Sequence, residues 1–111
     1  MNEGIHVLRP MDGGWRDSRR PGIRQQPMLS PESGAAQNLV LVEYEEGAAV
    51  EMHETHVPET IFVISGQLVL DLPGGPVGLG PQEAVYFEPG TSHGMHVEAG
   101  PCRCLLVFSP H

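Results

Sequence analysis

The chain has 111 residues, 40% of them hydrophobic and 5% aromatic, with a formal net charge of -8. That length suits one domain around one core, and no apolar run approaches the roughly 20 residues a membrane helix needs. Five of the six cations, Arg9, Arg16, Arg19, Arg20 and Arg24, lie near the N-terminus; the acidic remainder repels phosphate backbones, so nucleic-acid binding would have to rest on this short arm alone and is not expected.

The first residues lack the basic start and apolar run of a secretory signal, which makes a cytoplasmic location the expectation. Residues 1–37 are rich in Gly, Pro, Arg and Ser and are expected to form an irregular arm. Short edge strands are expected at its apolar islands, Ile5 to Leu8 and Met28-Leu29. Trp15, the only tryptophan, is suited to anchoring this arm on the body, and the arginines to pairing with acidic residues there.

Residues 38–111 have a different texture. Short apolar or alternating runs, each closed by glycine or proline, span Leu39 to Tyr44, Ala48 to His53, Thr60 to Ser65, Gln67 to Leu72, Val77 to Leu79, Ala84 to Phe87, Gly94 to Val97 and Cys102 to Phe108. No sustained helical period appears, so the fold class is all-β, a sandwich or small barrel. Turns are expected at Ser65-Gly66, as a tight two-residue hairpin, at Pro73 to Pro76 and at Leu79 to Glu83. Cys102 and Cys104 share a strand face with no turn to join their sulfurs, and read as small core residues.

Chemistry concentrates in two places. Residues 47–66 place His53, His56 and Glu59 between Gly47 and Gly66, and a second stretch ends Pro89-Gly90-Thr91-Ser92-His93. Imidazole and carboxylate together suit a first-row transition metal rather than Ca or Mg. His53 ends one strand and Glu59 begins the next, so a reversal brings both into one pocket, with His93 arriving from a neighbouring strand. Two histidines and a carboxylate leave metal positions open for water or substrate. Glu51 and Glu54 flank His53 and read as solvated faces, although Glu51 shares the inward parity of His53; His96 has the parity opposite to His93 and is expected to face outward. His6 and His111 read as surface residues.

These stretches resemble the motifs of the cupin superfamily. Its first motif, G-x5-H-x-H-x(3,4)-E-x6-G, is met by Gly47, His53, Glu59 and Gly66, with Thr55 where the family has its second histidine and His56 one residue late. Its second motif, G-x5-P-x-G-x2-H, is met by Gly90 and His93, with Gln82 in place of the first glycine and Glu88 in place of the proline. The resemblance covers residues 38–109, and the short gap between the motifs is similar to that of small single-domain bacterial cupins of the RmlC-like type. It implies a jelly-roll β-barrel, a homodimer, and one divalent transition metal (Fe, Mn, Ni, Co, Cu or Zn) held by His53, Glu59 and His93. His56 would be a fourth ligand if a bulge before Val57-Pro58 turned it inward; regular alternation would turn Thr55 inward instead.

Function is then expected to be metal-dependent chemistry on a small organic molecule: oxygenase, isomerase, cyclase or lyase. Glu59 is the candidate catalytic base. The rival is a non-catalytic barrel that binds or senses a small ligand or metal; a purely structural dimer is the third reading.

Overall fold

The computed structural model describes residues 3–30 and 34–109, so His111 lies outside the described residues. After a 3-10 turn at Asp12–Gly14 come β1 (Arg16–Asp17), β2 (Ile23–Leu29), β3 (Asn38–Tyr44), β4 (Ala49–Glu54) and β5 (Glu59–Ser65). They are followed by β6 (Leu68–Leu72), β7 (Gly75–Leu79), β8 (Ala84–Phe87), β9 (Ser92–His96) and β10 (Cys102–Phe108). Every run expected from residue 38 onward is a strand, with ends within about two residues, the usual scatter of boundary assignment. Ile5 to Leu8 is not a strand: Ile5 and Val7 stand exposed without a strand partner. Met28-Leu29 is the end of the longer β2.

The strands form two antiparallel sheets, β1-β2-β3-β10-β5-β8 and β4-β9-β6-β7. From β3 onward every connection crosses between the sheets except the β6–β7 hairpin, which closes at Pro73-Gly74 with Leu72 opposite Gly75. This is the jelly-roll arrangement. Alternation supplies the core: Ile61 and Val63 of β5, Leu68 and Leu70 of β6, Cys102 and Cys104 of β10 are all fully buried between the sheets. Burial of each of the four aliphatic side chains contributes on the order of 1.5–3 kcal/mol before entropy is subtracted.

Ser65-Gly66 does not make the expected hairpin. β5 pairs with β8 and β10, and β6 with β7 and β9, so this dipeptide is a corner between sheets. Glycine is needed there for two reasons: its φ is +83°, and a Cβ would lie 2.5 Å from the Pro101 carbonyl oxygen. The β7–β8 corner is held differently. Gln82, which replaces a motif glycine, itself takes φ 70°, and its N–H donates to the Val63 carbonyl at 2.8 Å.

The N-terminal segment is built into the larger sheet. β2 pairs along β3, and buried Gln26 binds the Met11 backbone twice, accepting from its N–H at 2.7 Å and donating to its carbonyl at 3.0 Å. Trp15 packs its ring against the guanidinium groups of Arg24 and Arg103, which lie 5.3 and 5.1 Å from its centre. Both arginines donate to Glu43, and these hydrogen bonds, Arg103 first, hold its carboxyl below the usual range. The expected pairing of arm arginines with the acidic body is present at Arg20 and Arg24.

Candidate metal and ligand site

His53 and His93 are directly opposite each other on β4 and β9. Their rings are 4.6 Å apart, tilted by 56°. The approach depends on an irregularity. Register shifts between Val50 and His53, so both residues line one cavity although they are three apart. Glu51 consequently turns outward, and its side chain is 72% exposed, against its parity in the sequence. Gly94 makes room for the bulge: a Cβ there would lie 2.8 Å from the Val50 carbonyl oxygen. Glu59 enters from the other sheet, at the first position of β5, where its pairing with Phe87 fixes it at the same end of the sandwich.

Each histidine is oriented by a backbone carbonyl two residues earlier. His53 Nδ1 meets the Glu51 carbonyl at 2.9 Å, and His93 Nδ1 meets the Thr91 carbonyl at 3.2 Å. A proton on each Nδ1 leaves each Nε2 as a lone-pair donor. His93 is fully buried, stacked on Phe87 at 3.7 Å, and burial holds its pKa below the ordinary histidine range. Among the described residues its buried Nε2 has no hydrogen-bond partner, and the nearest carboxylate oxygen, Glu59 Oε1, is 3.7 Å away.

The donors suit a borderline transition metal in type. Two ligands at ordinary metal–nitrogen and metal–oxygen lengths stand about 3.0–3.4 Å apart, so the 3.7 Å spacing is a few tenths of an ångström wide. Among the described residues no three His, Cys, Asp or Glu side chains converge as a ready metal cage. His56 is exposed on the β4–β5 corner, whereas Thr55 is half-buried and donates to the Val57 carbonyl at 3.3 Å.

Beside the histidines lies a cavity of about 170 Å³ between the sheets. Its apolar wall is Ile23, Val42, Val50, Ile61, Met95 and Leu106; its polar groups come from Ser18, Arg20, Gln25, Tyr44, His53 and Glu59. Burial pushes the Tyr44 phenol far up, so it is a neutral donor, and it faces Met95 Sδ at 3.6 Å. Arg20 reaches from the β1–β2 loop to Glu51 on β4, with contacts of 2.9 and 3.3 Å. Sequence reasoning missed Arg20, Gln25 and Ser18 as cavity residues. Alternation in β2 could have placed Gln25 beside Ile23, but nothing in the spacing marks a loop arginine.

Outside this site, His96 faces outward between Asp71 and Glu98, as its parity predicts. His6 is exposed. Cys102 and Cys104 are free thiols whose sulfurs lie 3.7 Å apart; their shared hydrogen bond and burial push Cys104 far up.

A family model described as the cupin domain matches residues 40–108. The fold is similar to that of the polyketide cyclase RemF from Streptomyces resistomycificus, with TM-score 0.85, 23% identity, and coverage of 95% of this chain and 79% of that one. KdgF from a Halomonas species gives TM-score 0.83 and 22% identity over 96% of this chain and 95% of that one. An RmlC-like cupin from Shewanella frigidimarina gives 0.80 and 15% over 96% and 93%. At these identities the likeness is one of fold. No curated protein matches the chain.

Proposed function

The chain belongs to the cupin family, and on that premise we propose that it is a metal-dependent enzyme acting on a small organic molecule, with His53, Glu59 and His93 as the metal ligands. The observation that carries this is the orphaned Nε2 of His93, fully buried and facing a carboxylate. An unsatisfied buried acceptor costs about 1–3 kcal/mol, and a divalent ion shared with Glu59 and His53 would recover it. Nδ1 contacts to carbonyls already aim both imidazoles. Such a metal would supply Lewis-acid polarisation of a bound oxygen. The apolar walls would hold the organic body, Tyr44 would offer a neutral hydrogen bond, and Glu59, once displaced from the metal, would take up a proton from the bound molecule.

Metal analysis of protein purified without added metal, with its His93→Ala, His53→Ala and His56→Ala variants, tests the ligand set. We expect about one transition metal per chain, at least a tenfold loss of metal affinity in the first two, and retention in the third. Unchanged metal content in His93→Ala would remove the proposal.

A second reading, a non-catalytic barrel that binds a small ligand, is favoured by one observation: among the described residues no three candidate ligands converge as a ready cage. Turnover of diols, enols or β-dicarbonyl compounds by the metal-loaded protein separates the two.

We also propose a homodimer formed through the outer face of the six-stranded sheet, where Phe62 and Ile64 of β5 and Tyr86 of β8 stand exposed. Thr60 lies opposite Tyr86 on the adjoining strands, so these side chains belong to one continuous face.

A further inference from the structure

We propose that Arg20 is the anion anchor of the cavity, so that the molecule bound there is a small organic acid whose carboxylate meets Arg20 while its apolar body lies along the inner walls. This rests on the reading of the cavity as the ligand site. Among the described residues lining it, Arg20 is the only Lys or Arg, in a chain of net charge -8. A guanidinium in that position is a planar fork matched to a carboxylate.

The contact Arg20 makes now is a replaceable one. Its partner Glu51 is 72% exposed, whereas the Arg20 side chain is 24% exposed. An ion pair with so solvated a carboxylate contributes little, and a ligand carboxylate inside the mouth would meet the same fork with less water around it. The backbone is held independently of Glu51: Ser18 Oγ accepts from the Arg20 N–H and donates to its carbonyl, both at 3.0 Å, and the Ser18 N–H donates to the Ile23 carbonyl at 2.9 Å. The loop therefore keeps its place when the side chain changes partner.

Size sets the class. A cavity of about 150 Å³ takes benzene, so 170 Å³ suits a one-ring or short-chain acid.

Calorimetric titration of the purified protein with benzoate and butyrate, against benzamide and butyramide, tests this. Histidine ring NMR signals report where the probes bind. We expect an acid to bind at least about tenfold tighter than its amide, Arg20→Gln to abolish that preference while amide binding persists, and Arg20→Lys to restore part of it. An unchanged acid-to-amide ratio in Arg20→Gln overturns the proposal, as does the lack of any acid binding tighter than about 10 mM. If acids and amides move the histidine signals equally, the cavity is the ligand site but Arg20 is not its anchor. If neither moves them, the reading of the cavity fails as well.

Discussion

His96 carries the clearest titration outside the site. Asp71 holds its Nδ1 at 2.9 Å and Glu98 its Nε2 at 3.3 Å, and these hydrogen bonds, Asp71 first, raise its pKa above the ordinary value. A pKa raised on folding contributes stability that is fully present below the unfolded value, about 6.5, and is lost as pH rises through the folded value. Melting temperature should therefore fall as pH rises above about 6.5, and Asp71→Asn should flatten that slope. An equal slope in the variant would show that the pair does not contribute; added salt should weaken the effect, since both side chains are about a third exposed or more. The outward placement of His96 was legible from parity alone. The solvated position of Glu51 was legible from its charge, but the change of parity that produces it was not, because a bulge leaves no sign in residue type.

Corners between sheets carry the element-scale lesson. Alternation and glycine spacing located the strands from residue 38 onward, since a half-buried strand and its breaks are local properties. Which strand pairs with which is not local, and Ser65-Gly66 has the same turn chemistry whether the next strand returns beside β5 or crosses to the other sheet. The motif residues His53, Glu59 and His93 could be proposed as neighbours for the same reason that their geometry could not: the spacing is local, the bulge and Gly94 are not. Gln82 offers a test of corner strain. A non-glycine residue at φ 70° costs about 1–2 kcal/mol, partly offset in a glycine by its larger unfolded-state entropy. Gln82→Gly should raise the unfolding free energy by roughly 0.5–1 kcal/mol in urea titration. A loss of stability would mean that the Gln82 side chain contributes more than its backbone costs.

At the scale of the molecule, the exposed outer sheet face decides assembly. If Phe62, Ile64 and Tyr86 form the proposed dimer contact, light scattering should give twice the chain mass, and Tyr86→Lys should shift it toward the monomer. A wild-type monomer at about 10 μM would end that proposal.

β10 lies in the middle of the six-stranded sheet, between β3 and β5, yet it is the last strand in chain order. Until residues 102–108 pair, the flanks of β3 and β5 that they join are open. Unpaired flanks of this kind are templates for other chains, and they close only when residues 102–108 arrive.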